Sequence, residues 1–275
     1  MIHEKLIKND KGQALVLRVS RLLHKSEGME SMHDTRLVRQ ELEEQARAWG
    51  ADCVAVADTV RLQGLETEPA DLLHGYQRAV SMAVHLADGI MDPITDGPTP
   101  LYSSHYQRVN ALLDDIAIRA TGLLQSHGAK ALPIPASQIL CEERYYSYIS
   151  HKAVAIAAGL GWQGKSLLLV TPQYGPRVRL VTVLTDMALP ADEPSKNRCG
   201  TCTFCADACP SGAIKNVNTD LHYATRNEAI DLDACVKQLK RFGELEHINP
   251  YLCGVCVAAC PWGRKKAKRC SWVAE

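Results

Sequence analysis

Four cysteines stand at Cys199, Cys202, Cys205 and Cys209, and Pro210 follows the last. Steps this short let one tight loop aim three thiolates at a single centre while the fourth reaches elsewhere, which is the ligand run of bacterial proteins that carry two [4Fe-4S] clusters. A second run, Cys253, Cys256 and Cys260 with Pro261 behind it, is one cysteine short, and Cys235 stands alone between the two. Eight thiolates then serve two cubes, and the chemistry of such a pair is electron transfer. In paired clusters the last cysteine of a run crosses over. That rule assigns Cys199, Cys202, Cys205 and Cys260 to one cube, and Cys209, Cys235, Cys253 and Cys256 to the other. Structural zinc is the competing occupant, since it also uses Cys-x2-Cys pairs and four thiolates. A zinc ribbon requires neither the two Cys-Pro endings nor a first run of four.

A second candidate is Gly159-Leu160-Gly161-Trp162-Gln163-Gly164-Lys165-Ser166, which satisfies both G-x-G-x-x-G and G-x-x-x-x-G-K-[ST] as written patterns. Both motifs need a strand before the glycines and a helix after them, so that a helix N-terminus faces phosphate. Here an alanine-rich helical run leads in and Leu167-Leu168-Leu169-Val170 leads out, so no nucleotide is expected. Close backbone approach to some other ligand is what the glycines permit.

The elements that must position these groups follow from periodicity. A helix is expected from Asp34, ending near Gly50, and Asp52-Cys53-Val54-Ala55-Val56-Ala57 and Val80 to Val84 read as strands. Tyr106 to Leu124 reads as a long amphipathic helix and Ala131 to Pro135 as extended chain, because each proline disfavours helix before it. His151 to Ala158 is helical. Leu167 to Val170 and Val178 to Leu184 read as strands joined in a hairpin by Pro172-Gln173-Tyr174-Gly175-Pro176. Alternating helices and strands indicate an α/β layered unit. The expected organisation is an N-terminal extension (1–31), an α/β domain (32–190), a ferredoxin-like two-cluster domain (191–265) and a basic tail (266–275).

Lys+Arg and Asp+Glu both total 31, so no overall field draws the chain to nucleic acid or to an anionic membrane. No apolar run approaches the roughly 18 residues of a membrane span, and the charged start lacks the apolar stretch of a secretory signal. A soluble, cytoplasmic protein is expected. Eight of its eleven cysteines crowd between Cys199 and Cys260, as metal ligands do in a reducing compartment.

Over roughly Met32 to Trp262 the chain resembles the epoxyqueuosine reductases and the related reductive dehalogenases. The resemblance rests on Ala158 to Lys165, on Leu184-Thr185-Asp186 with Leu189-Pro190, and on the first cysteine run followed by Ser211-Gly212-Ala213-Ile214. The lone Cys235 and the run Cys253 to Pro261 with Trp262 complete it. It implies an α/β (α+β) fold, with a nitroreductase-like layered domain holding base-off cobalamin and a ferredoxin-like domain delivering electrons. It also implies that Gly159, Gly161, Trp162, Gly164 and Lys165 border the corrinoid.

Two departures stand out. The chain ends fifteen residues after Cys260, so a short form without the family's C-terminal tRNA-binding repeat domain is expected, and tRNA is not expected as a partner. The family places a catalytic aspartate before the helix that leads to the glycine loop, whereas no aspartate occurs between Asp115 and Asp186. Proton donors are sought instead among Glu142, Glu143, Tyr145, Tyr146, Tyr148 and His151, with Glu143, Tyr145, Tyr148 and His151 as the candidate catalytic set. Two hypotheses follow. One is a cobalamin-dependent reductase, acting on a substrate or on a corrinoid or corrinoid protein, and fed by a low-potential ferredoxin or flavodoxin. The other is an electron-transfer module whose α/β domain docks a partner and binds no corrinoid.

Overall fold

A computed structural model describes residues 35–264 except Glu142, Arg144 and Leu221. The extension 1–31 and the tail 266–275 lie outside the described residues. Helix α1 covers residues 35–48 and ends ahead of Gly50, whose φ of 114° turns the chain into β1 (Cys53–Asp58). Strand β2 (Arg78–His85) follows. Helix α3 (Pro100–Ser126) comes after a short helix α2 (Asp88–Met91). Six residues longer at its start than its apolar spacing shows, α3 begins at a local cap: the Thr99 side chain accepts from Tyr102 N–H and Pro100 fills the first turn.

Strand β3 (Ala131–Ile134), helix α4 (His151–Ala157), the short strands β4 (Trp162–Gln163) and β5 (Leu169–Val170), and strand β6 (Val178–Thr185) complete the layer. The main sheet is antiparallel throughout, in the order β1-β2-β6-β3. Period-2 alternation splits its residues between two faces. Val54, Val56, Val80, Met82, Val181 and Val183 pack against α1 and α3, while Ala55, Ala57, Ala79 and Leu184 pack against α4. Small residues on the second face let α4 lie close to the sheet.

The expected hairpin between Leu167 to Val170 and Val178 to Leu184 does not form. Strand β5 pairs with β4, and β6 is instead an interior strand between β2 and β3. Strand β5 is taken up by β4, and the turn Thr171 to Pro176 closes on itself through the Thr171–Gly175 bridge instead of bringing β5 onto β6. Strand β3 covers β6 only from Thr182 to Thr185, leaving the edge at Val178 to Leu180 open.

Beyond Leu189 the chain crosses the sheet rim. On the free edge of β1 the Asp192 N–H donates to the Val56 carbonyl, and the Asp192 carboxylate accepts from Val56 N–H and from Arg39 of α1, the latter at 2.8 Å. Four helices follow: α5 (Phe204–Asp207), α6 (Arg226–Ala229), α7 (Leu232–Gly243) and α8 (Val255–Ala259). Leu252, Val255 and Ala258 join the core under α3, so this unit and the layer share one interior. Among the described residues no helix is long and apolar enough to cross a membrane.

Candidate cluster centre and adjoining cavity

Helices α5 and α8 sit together; α5 follows the step Cys199-x2-Cys202, and α8 begins within the step Cys253-x2-Cys256. Cys205 lies on α5, Cys256 on α8, and Cys209 and Cys260 follow directly after those helices. The lone Cys235 is brought in by β-like pairing. Lys215 N–H donates to Ala229, Asp231 N–H donates to Ala213, and Ile214 bridges Ile230, which places the first turn of α7 beside the end of the first run. A buried knot of Leu167, Ala229 and Ile230 holds that pairing.

The thiols sort into two groups by mutual electrostatics. Cys260 is raised to about 12, first by burial and then by Cys199, Cys205 and Cys202. Cys253 is raised to about 11 by burial and by Cys235 and Cys209, and burial with Cys253 among its neighbours raises Cys256 further. Cys260 thus has the first run as its neighbours, while Cys253 has Cys235 and Cys209. Cys256 also feels Cys205, so the two groups adjoin.

Crowded, half-buried thiols resist ionisation unless a cation compensates them, and an iron cluster supplies that charge. Cys209 shifts the other way. Burial opposes its ionisation, but hydrogen bonds from Ser211 and from the backbone N–H groups of Ala213 and Ile214 outweigh burial and pull it down. Donors aimed at sulfur suit cluster ligands, whose potential they tune. Among the described residues no three Cys, His, Asp or Glu side chains stand close enough to grip one ion.

The glycine loop serves this centre. A Cβ on Gly159 would meet the Glu193 carbonyl oxygen at 2.2 Å, one on Gly161 the Val170 oxygen at 2.1 Å, and one on Gly164 the Val170 side chain at 2.7 Å. These glycines therefore approach the chain's own backbone and side chains. Trp162 Nε1 donates to Cys199 Sγ at 3.3 Å and its ring packs edge-on to Trp262. Buried Lys165 donates to the Cys202 carbonyl at 2.9 Å and to Asn216 Oδ1 at 3.0 Å, and the Gln163 carbonyl accepts from Asn197.

None of Gly159, Gly161, Trp162, Gly164 and Lys165, the residues expected to border a corrinoid, belongs to the lining of the adjoining cavity. The Cβ sides of the glycines face the chain itself, and Trp162 and Lys165 join the layer to the first cysteine run. Lys165→Ala is accordingly expected to leave ATP binding absent, as in the parent. It strands two half-buried acceptors, together a loss on the order of 1–3 kcal/mol, so iron should leave faster on chelator challenge. Magnesium-dependent ATP binding that Lys165→Ala removes would contradict this.

Beside the centre lies a cavity of about 880 Å³ on the open edge of β6. Val178, Arg179 and Leu180 form one side, the start of α4 another, and His222 to Arg226 of the cluster unit a third. Of the candidate catalytic residues, Tyr145 and His151 line it, as does Tyr146. Glu143 is exposed, and neither it nor Tyr148 belongs to the lining. Tyr148 packs into the core beneath α4, its carbonyl accepting from Glu68 N–H. Tyr145 holds a left-handed φ of 50°, and its carbonyl accepts from Arg226. Arg61, Lys152, Arg179, Tyr223 and Arg226 escape sequence reasoning because they come from separate segments with no shared spacing.

His151 is engaged structurally. Its Nδ1 lies 2.8 Å from Thr182 Oγ1 and its Nε2 2.9 Å from the Pro135 carbonyl, and burial lowers it to about 4. A ring held neutral is no ready proton donor at neutral pH. The unfolded chain binds the proton first on acidification, so the ring's contribution is complete above about pH 6.5 and is lost as pH falls toward 4. The stability gap between parent and His151→Gln, read from urea midpoints, should therefore narrow from pH 7 to pH 5. A gap that widens would show that the ring is charged in the fold.

Residues 198–263 match the family profile of the 4Fe-4S double cluster binding domain. Epoxyqueuosine reductase from Listeria monocytogenes is 36% identical over 121 residues, which span 42% of this chain and 30% of that protein. The Vibrio cholerae enzyme is 28% identical over 221 residues, 73% of this chain and 53% of that one. The matched stretches thus span 30% and 53% of these two relatives' lengths.

In fold it is similar to a catabolic reductive dehalogenase, with TM-score 0.62, 21% identity, and coverage of 80% of this chain and 31% of that one. It is also similar to epoxyqueuosine reductase with a tRNA-Tyr stem loop, with TM-score 0.55, 22% identity, and coverage of 85% and 67%. A further neighbour, TM-score 0.58 at 20% identity, is described as suggesting a mechanism for B12-dependent dehalogenation; the match covers 80% of this chain and 30% of that one. The tRNA-bound neighbour runs against the expectation that excluded tRNA as a partner, and that expectation is withdrawn.

Proposed function

We propose that this chain, a relative of the epoxyqueuosine reductases and reductive dehalogenases built around a 4Fe-4S double cluster binding domain, is an iron–sulfur oxidoreductase. Its reaction chamber is the cavity between the sheet edge and the cluster unit. The observation that carries this is the cavity's construction, with walls drawn from both the α/β layer and the segment His222 to Arg226. At about 880 Å³ it lies toward the upper end of the usual range of small-molecule sites, roughly 300–1,000 Å³.

Cys199, Cys202, Cys205 and Cys260 would hold one cluster, and Cys209, Cys235, Cys253 and Cys256 the other. Bound clusters supply one-electron carriers, and a base-off corrinoid in the chamber would supply a redox-active cobalt for reducing a substrate. The chain's own residues shape the chamber. Leu167, Leu169, Val178 and Leu180 exclude water, and the Tyr145 and Tyr146 hydroxyls are the nearest candidates to hand on a proton. A low-potential ferredoxin or flavodoxin is the fitting electron donor.

The glycine loop favours a second reading. Because those glycines pack on protein, the feature that implied a corrinoid is accounted for without one, and an electron-transfer module with no corrinoid would show the same packing. Titrating cobalamin into the anaerobic, cluster-loaded protein separates the two. A base-off Co(II) paramagnetic signal is expected, and it should be lost in Ala153→Phe, which fills the cavity wall without touching a cysteine. No spectral change at high micromolar cobalamin would leave the electron-transfer module.

A further inference from the structure

Four cations and one carboxylate, Glu66, line the cavity, and three of the cations have no ion-pair partner among the described residues. Lys152 lies in the first turn of α4, Arg179 on the uncovered end of β6, and Arg226 at the start of α6. Their partners are neutral. Arg179 Nε donates to Asn110 Oδ1 at 2.9 Å with its guanidinium 4.2 Å from the Tyr106 ring centroid, and Arg226 donates to the Tyr145 carbonyl at 3.1 Å. Lys152 has neither hydrogen bond nor ion pair among the described residues. Arg61, the fourth cation of the lining, is by contrast committed to Glu193 at 2.6 Å.

Lys152 lies within electrostatic reach of both arginines. Burial, then the charges of Arg226 and Arg179, draw Lys152 down to about 8. Like charges gathered in a partly desolvated pocket oppose folding unless a counter-charge settles among them. Guanidinium forks match the paired oxygens of phosphate and carboxylate, and an ammonium adds a mobile point charge.

We infer that Lys152, Arg179 and Arg226 form an oxyanion site inside the cavity, which grips a phosphate or carboxylate carried by the molecule that occupies it. The inference rests on the cavity being the reaction chamber, but it holds with or without a corrinoid. Its competitor is the negative charge of a cluster, because Lys152 also lies within electrostatic reach of Cys256 and Cys235.

Calorimetric titration of inorganic phosphate into the cluster-loaded full chain, at matched ionic strength, tests it. Saturable binding is expected, weakened roughly tenfold or more by Lys152→Gln and by Arg179→Gln. Lys237→Gln, on the exposed side of α7, should leave it unchanged. Lys152→Gln is the decisive variant, since that side chain makes no bond that holds the fold; iron content and circular dichroism verify both variants.

Cobalamin carries a phosphodiester in its nucleotide tail and cobinamide does not. Competition of phosphate with cobalamin alone would put the oxyanion on the cofactor, and phosphate binding alongside both would put it on the substrate. Absence of saturable phosphate binding, or binding undiminished in both variants, overturns the inference. If the variants then shift only a cluster potential, the cations belong to the cluster. Cobalamin uptake that persists in that case would leave the chamber itself standing.

Discussion

Replacing Cys209 with alanine is expected to remove about half of the iron, and to take it from the cluster of Cys235, Cys253 and Cys256 while sparing the one whose first ligand is Cys199. Eight thiolates for two cubes give about eight iron and eight sulfide per chain, so the variant should retain about four of each. The prediction opposes sequence position to spatial grouping. Cys209 belongs to the first run by spacing, yet its charge raises Cys235 and Cys253, on the other side of the Ile214–Ile230 pairing. Iron analysis with paramagnetic resonance of the reduced protein reads the outcome. Preferential loss of the cluster held by Cys199 and Cys202 would break the crossed assignment, and tightly bound zinc with no visible absorption would remove the clusters altogether.

Gly161→Val is expected to be the most damaging substitution outside the cysteines. Gly161 carries no left-handed backbone, so the whole effect is steric: its Cβ would stand 2.1 Å from the Val170 oxygen and 2.8 Å from the Val170 carbonyl carbon. Backbone cannot rotate away as a side chain can, so β4 must leave β5 and carry Trp162 off Cys199. A cost of several kcal/mol, at about 2–4 °C per kcal/mol for a chain of this size, lowers the melting temperature by roughly 10 °C. The cluster beside Trp162 should be lost first. Gly122→Ala is the control, since nothing lies within 4 Å of its Cβ inside α3 and helix propensity alone should favour alanine by about 0.5–1 kcal/mol. A Gly161→Val protein with full iron and unchanged melting would mean that the loop does not brace the cluster.

The cysteine spacing alone determined the metal chemistry, because thiolates bound to one cube must sit a few residues apart and their count closes without any fold. Periodicity alone also placed β1, β2, α4 and most of α3, since burial on one face repeats every two or 3.6 residues whatever the partner is. Pairing was another matter. Strand β5 joins β4 in a separate two-stranded sheet even though β6 keeps an open edge at Val178 to Leu180, a choice that depends on where the glycine loop carries β4 and not on any local period. The roles of the glycines were likewise hidden: a small residue signals close approach, but only the tertiary structure shows that Gly159 approaches Glu193 and Gly161 approaches Val170. The cavity was the least legible feature. Lys152, Arg179 and Arg226 lie 27 and 47 residues apart along the chain, and they meet because β3 stops short on β6 while the Ile214–Ile230 pairing leads α6 back to that edge. Charge convergence of this kind leaves no trace in sequence, since Coulomb interactions act through space and carry no period.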